Sequence, residues 1–348
     1  MDSELNTRFS QLVSNYQSSR GLVGLGAIVL KNGVNQGIAV SGERAIKTGI
    51  SLNVNDKWHI GSITKSVTAT LVARLIEGKR LSWNTSINRV LGSSAVLHDD
   101  WKNVSVMDLL THTSGAAPNF PLSVLFKNPK EGQDRILARR KAVFKLLKKR
   151  SNYPCKTKHV YSNVGYTIIG VLVEQITGRS WENLVRAEIF EPLGLESAGF
   201  GPPQDIADDL EQPRGHRKRF LSSKRVKVGT STDNTPIIGP AGTIHMNLTD
   251  LAKFANEHLC GNQGEGELLS RDSYNLLHSP ALDNYACGWV VNEDKTLWHN
   301  GSNTMWYAFL AFEPQSKRVI AVTANDPNIG ECEDVATQIL EQTKTLFK

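Results

Sequence analysis

CGWVVNEDKTLWHNGSNTMWYAFLAFEPQSKRVIAVTA, residues 287–324, decides the fold class. Four strand-like runs stand in it, CGWVV, TLWH, MWYAFLAF and RVIAVTA, rich in aromatic and β-branched residues. The turn Pro314-Gln315-Ser316-Lys317 separates the last two. At the other end of the chain, Leu22 to Leu30 and Gly37 to Val40 read as strands joined by the turn pair Asn32-Gly33. An amphipathic helix precedes them, with Leu5, Phe9, Leu12, Val13 and Tyr16 at helical spacing, and another closes the chain from about Glu333 to Phe347. Between these ends the pattern turns helical. Ser62 opens a helix striped by Ile63, Val67, Leu71, Val72, Leu75 and Ile76, and Asn163 opens another that stops at Gly178. Helix and strands at both ends, with helices between, predict an α+β fold. Its antiparallel sheet would be flanked by the terminal helices, with an inserted, mainly helical region. The expected division is a discontinuous sheet domain, 1–60 and 231–348, and a helical domain, 61–230, with the active site at their junction.

The chain has 348 residues, 40% of them apolar and 21% charged, enough to bury a full core and too apolar for wholesale disorder. No apolar run approaches the roughly 18 residues that span a bilayer. The first twenty residues lack the apolar core of a secretory signal, so the chain reads as cytoplasmic as written, or as periplasmic or secreted if a leader is removed before Met1. Cys155, Cys260, Cys287 and Cys332 are widely spaced, which excludes a C-x-x-C zinc or redox motif and fits small buried apolar residues better than a disulfide framework.

The formal charge of +6 is unevenly distributed. Residues 139–150 hold seven basic side chains and no acid, and so do residues 214–227. Without them 26 basic side chains face 34 acidic ones, so the basicity belongs to two patches. These are read as solvated surface, with attraction to an acidic polymer as an added role. Aromatic interleaving and nucleic-acid motifs are absent, which argues against DNA or RNA as partner.

Three short boxes carry chemistry. In Ser62-Ile63-Thr64-Lys65, serine and lysine stand three residues apart, almost one helical turn, on one face of a helix N-terminus. A serine there can act as a nucleophile, with its own N–H holding an oxyanion and the amine taking its proton. The bland alternative is an N-cap serine beside a surface lysine. Tyr161-Ser162-Asn163 offers a phenol that a neighbouring ammonium would help to ionise, or merely a half-buried ring and a helix cap. His299-Asn300-Gly301-Ser302 ends one strand and precedes another. Its glycine would allow close backbone approach, although Asn-Gly is also a plain turn signal.

Together the boxes resemble the serine β-lactamase and penicillin-binding protein superfamily, whose signature is S-x-x-K, S-D-N and K-T-G. Y-S-N is similar to the class C branch, with its β-lactamases, DD-peptidases, D-aminopeptidases and esterases. Trp58-His59-Ile60-Gly61, Leu109-Leu110-Thr111-His112-Thr113-Ser114-Gly115, Pro240-Ala241-Gly242 and Asp250-Leu251-Ala252-Lys253-Phe254 extend the resemblance in family order, from about residue 22 to 326. Lys47-Thr48-Gly49 spells K-T-G but precedes the serine, so His299-Asn300-Gly301 takes the position of the third box. His112 is read as loop support and His59 as packed. The histidines lack ligand spacing, so no metal and no cofactor is expected.

The resemblance implies acyl transfer through Ser62, with Lys65 and Tyr161 sharing the proton work and the backbone N–H groups of Ser62 and Ser302 as oxyanion hole. Asn163, His299 and Gly301 would bind substrate. Reference pKa values of about 10.4 and 10 put Lys65 and Tyr161 too high for a neutral-pH base, so at least one is shifted. The implied substrate is a small molecule or peptide, a β-lactam or D-alanyl peptide. A carboxylesterase and a penicillin-binding sensor without turnover are the alternatives. Histidine in place of the K-T-G lysine removes the fixed charge that would hold a substrate carboxylate.

Overall fold

The computed structural model describes residues 3–203, 210–219, 222–226 and 233–347. Its centre is a six-stranded sheet in the order Val34–Gly42, Gly24–Lys31, Arg318–Ala324, Tyr307–Glu313, Leu297–Ser302 and Val290–Val291, each pair antiparallel. Asn32 and Gly33 both take positive φ at the first hairpin, the backbone twist that a two-residue turn between antiparallel strands requires.

Alternation along the strands decides what covers each face. Phe309, Ala311, Ile320 and Val322 meet Phe9 and Val13 of the first helix, Ser3–Ser19, and Val335 and Ile339 of the last, Ile329–Leu346. Ala308, Leu310, Phe312, Val319 and Ala321 join a larger core shared with the helices of the middle region. The sheet is therefore buried on both faces, as the α+β reading anticipates. The last helix starts four residues before the expected Glu333, at Ile329, because Cys332 also packs inward.

A small sheet of Lys57–His59, Ile244–Asn247 and Gly199–Phe200 delivers the chain to Ser62. The helix that follows, Thr64–Glu77, is buried on almost every side, the pattern of a core helix rather than a surface one. Helix Asn163–Thr177 packs beside it and stops at Gly178 in the left-handed conformation that glycine favours.

The basic stretches are less basic at the surface than their sequence suggests. Arg139 is fully buried against Glu174 and Glu182, and Arg214 is buried too. Lys141, Lys145, Lys148, Lys149 and Arg150 stay exposed, whereas Lys227 lies outside the described residues. All four cysteines are free. Cys287 and Cys332 are buried, but Cys155 and Cys260 are only half-buried, because each sits on a partly solvated face of its segment. No described helix is long and apolar enough to cross a membrane.

Candidate active site

Ser62 stands in a single 3-10 turn, Gly61–Ile63, that leads into Thr64–Glu77. Its side chain caps nothing, so the N-cap alternative does not describe it. Two glycines bring this turn against the strand Leu297–Ser302. Gly61 has φ +51, and a Cβ on it would lie 2.3 Å from the Ser302 nitrogen. A Cβ on Gly301 would lie 2.0 Å from the Ile60 carbonyl oxygen and 2.6 Å from the Ser62 nitrogen. No side chain fits at either position, and the backbone nitrogens of Ser62 and Ser302 flank the contact.

Lys65 lies one turn on and is fully buried. Its Nζ is 3.0 Å from Ser62 Oγ, and donates to Asn163 Oδ1 and the Ala241 carbonyl, each at 2.8 Å. No carboxylate pairs with it among the described residues. Burial without a counter-charge holds its pKa well below the ordinary lysine range. A neutral amine has two N–H donors and one lone pair. The two carbonyl-type acceptors take the donors, which leaves the lone pair for the Ser62 hydroxyl hydrogen.

Tyr161 places its ring 4.6 Å from Lys65 Nζ. The expectation that the ammonium would help Tyr161 to ionise is reversed in direction. Tyr161 is 37% exposed as a residue, but the groups crowded around its hydroxyl desolvate that end and push its pKa up, and its hydrogen bond with Ser62 offsets this only in part. Desolvation is the leading cause at both groups and favours the neutral amine and the neutral phenol.

Asn163 is the first residue of its helix, and Ser162 takes the cap instead, accepting from the Gly165 N–H at 2.9 Å. The Asn163 amide is thereby free to bridge Lys65 and Asn119, donating to Asn119 Oδ1 at 2.7 Å. His299 is buried, and burial beside Lys65 brings its pKa down to about 3, so its ring is neutral at physiological pH. A cleft of about 380 Å³ opens over these groups, walled by Ser62, Tyr161, Tyr285, His299, Gly301 and Ser302 among others. Among the described residues, neither Lys nor Arg lines it. Lys47 sits in a turn after the strand Val34–Gly42, apart from the cleft. Among the described residues, no group of three or more His, Cys, Asp or Glu is placed to hold a metal ion.

The sequence model of the Beta-lactamase family matches residues 9–344. The chain belongs to the beta-lactamase family. It is 29% identical over 301 residues to penicillin-binding protein 4 of Amycolatopsis lactamdurans, covering 80% of this chain and 74% of that one. It is 25% identical over 285 residues to the unguisins hydrolase ungD' of Aspergillus campestris, covering 77% of this chain and 52%, about half, of that protein's length. Among solved structures, the D-amino acid amidase of Ochrobactrum anthropi SV3 superposes with TM-score 0.79 at 18% identity, over 99% of this chain and 100% of that one.

Tyr285 and Tyr166 of this beta-lactamase-family site escape sequence reasoning. The Tyr285 hydroxyl lies 3.1 Å from His299 Nε2, so the His299 network reaches Tyr285 directly, while the Tyr161 ring stands 6.2 Å away. His112 packs its ring 4.5 Å from Tyr161 and 4.6 Å from Tyr285, and its Nδ1 accepts the Ser162 N–H at 3.1 Å. It thus holds the Tyr161-Ser162-Asn163 box in place, in keeping with a supporting role. Tyr166, 5.7 Å from Lys65 Nζ, donates to the Leu110 carbonyl and completes the aromatic surround. Tyr285 stands in a loop with no motif of its own. Only its place just before Cys287-Gly288-Trp289 ties it to the strand region.

Proposed function

We propose that this protein is a serine hydrolase that forms an acyl-enzyme at Ser62 and cleaves amide or peptide bonds of D-amino-acid substrates. The observation that carries the reading is the Ser62 hydroxyl 3.0 Å from a buried, carboxylate-free amine whose other two partners are acceptors. Ser62 Oγ adds to the substrate carbonyl carbon as its proton passes to Lys65 Nζ. The oxyanion faces the N–H groups of Ser62 and Ser302, each donor worth about 10²–10³ in rate. Tyr161, a neutral phenol, gives a proton to the leaving nitrogen, is reprotonated from Lys65, and the C–N bond breaks. Water then attacks the ester, and the acyl group leaves as the free acid. Asn163 Nδ2 and the Gly301 backbone hold the acyl chain, and His299 with Tyr285 shapes the leaving-group side.

The cleft lining, without Lys or Arg among the described residues, favours substrates whose leaving side is an amide over those that end in a free carboxylate, such as penicillins or D-alanyl-D-alanine. The similarity in fold to a D-amino acid amidase supports the same choice. Intact-mass spectrometry with a fluorophosphonate, a penicillin and a p-nitrophenyl ester, beside turnover of D-alanine p-nitroanilide, tests it. The expected result is a Ser62 adduct absent from Ser62→Ala, with anilide turnover exceeding penicillin consumption. Labelling retained in Ser62→Ala would refute the nucleophile. Ester turnover without anilide turnover would make the protein an esterase, and fast penicillin consumption a β-lactamase.

A further inference from the structure

Gly61 and Gly301 let two backbones touch beside Ser62, but glycine brings no rigidity of its own. A set of buried polar side chains behind the cleft ties those two backbones together. His59, fully buried, accepts the Gly61 N–H at Nδ1, 3.1 Å away and one residue before Ser62. Its other ring nitrogen, Nε2, lies 2.7 Å from Asp233 Oδ1, in contact though off the line of a straight hydrogen bond. The same oxygen accepts from Asn303 Nδ2 at 3.2 Å and from the Asn234 N–H at 2.6 Å. Asn303 follows Ser302 directly, and its Oδ1 accepts the Met305 N–H at 3.2 Å. The Asp233 side chain is 4% exposed, and Asn303 is buried. One carboxylate thus reaches the nucleophile turn through His59 and the facing strand through Asn303.

A ring nitrogen that accepts a hydrogen bond carries no hydrogen, so the ring hydrogen of His59 is on Nε2. Asp233 favours that placement, because a carboxylate 2.7 Å away attracts the hydrogen and repels a lone pair. A hydrogen on Nδ1 would instead meet the Gly61 N–H, donor against donor, and push the turn away. Neither His59 nor Asp233 lines the cleft over Ser62. Their influence on the reaction runs through the backbone. It is large enough to matter, because a misplacement of about 1 Å at a reacting centre can cost about 10² in rate.

We propose that His59 and Asp233 position the oxyanion hole. Asp233 holds His59 in the tautomer that accepts the Gly61 N–H, and through Asn303 it fixes the segment after Ser302. The N–H groups of Ser62 and Ser302 thereby keep their spacing while charge builds on the substrate oxygen. The inference rests on the acyl-enzyme reading and adds to it two residues that touch no reacting atom.

NMR of protein labelled at the histidine nitrogens reads the tautomer, with the His59 signals assigned by their absence in His59→Gln. The expected pattern in the wild-type protein is a hydrogen on Nε2 and none on Nδ1, and in Asp233→Ala the two tautomers should mix. Asp233→Ala should slow acylation by a p-nitrophenyl ester about tenfold to a hundredfold. Phenylboronic acid, whose adduct on Ser62 places an oxygen at the oxyanion position, should bind more weakly by a similar factor. Asp233→Asn, which keeps Oδ1 and its three neighbours, should restore part of both. In a Ser62→Ala background, calorimetry should show D-alanine p-nitroanilide binding within about twofold with and without Asp233→Ala, because ground-state binding does not need the oxyanion spacing. Any hydrogen on His59 Nδ1 in the wild-type protein would overturn the proposal even if no variant folds. So would boronate affinity unchanged in folded Asp233→Ala, or a loss of ground-state binding as large as the loss of boronate affinity. Failure of the acyl-enzyme reading would appear elsewhere, as wild-type protein that takes no fluorophosphonate adduct.

Discussion

Arg139 and Lys65 are both fully buried, and their surroundings are opposite. Arg139 has its donors answered by Glu174, by Glu182 at 2.7 Å, and by the Pro236 and Ile237 carbonyls at 3.0 Å. Its charge is neutralised where it sits, and its pKa is raised although burial alone would lower it. Lys65 has the Ser62 hydroxyl, an amide oxygen and a carbonyl, with two aromatic rings beside it and no carboxylate. Burial wins there, and the amine is driven toward its neutral form. One cation clamps helices together, and the other is left in the state that the proposed base role requires. The difference lies in whether a carboxylate is within reach, not in the residue's own chemistry.

Breaking each centre should give losses of different kinds. Lys65→Met should reduce the acylation rate by about 10³–10⁴, the upper range for a lost general base, without unfolding the protein. Stopped-flow release of p-nitrophenol, beside a thermal melt, reads both. Arg139→Met should instead leave two carboxylates buried and cost about 3–5 kcal/mol of stability. Urea unfolding measures the loss, and adding Glu174→Leu and Glu182→Leu should recover more than half of it. Activity per folded molecule should be nearly unchanged in that triple variant.

Smaller effects sharpen the contrast. The Lys65 pKa is lower in the folded protein than in the unfolded chain, so at neutral pH the unfolded chain binds the extra proton and this group opposes folding. That penalty fades as pH rises toward the unfolded value near 10.4. Lys65→Met should therefore melt higher than wild type at pH 7, with the gap closing near pH 10.5. A gap that is constant with pH would mean that the amine is charged in the fold. Tyr285→Phe removes the hydroxyl beside His299 Nε2 and should cost only a few-fold in kcat/KM for amide substrates. Because His299 titrates near 3, the activity profile between pH 5 and 8 should keep its shape in that variant.

Much of the frame was legible. The unbroken aromatic and β-branched runs of Met305–Phe312 and Arg318–Ala324 mark the central strands, and Gly178 marks a helix end, because residue preference and backbone conformation are local properties. The cap before Asn163 was not, since Ser and Asn are nearly equal caps and only the folded chain shows Ser162 in that role. Arg139 was read as surface for a similar reason. Its acidic partners stand 35 and 43 residues away, beyond any local pattern. Tyr285 carries no motif, and its closeness to His299 is set by strand pairing and loop packing.

The sequence by itself determined that Ser62 and Lys65 share a face, because three residues make almost one helical turn. It also marked Gly301 as a place where backbone can approach closely, while the facing Gly61 was found only in the fold. The tertiary structure alone decided what that pair can do. It wrapped Lys65 in helices and aromatic rings, brought Asn163 and Ala241 to its amine, and, among the described residues, paired no carboxylate with it. A pKa depends on the dielectric and charges around a group, and those are supplied by residues far away in the chain.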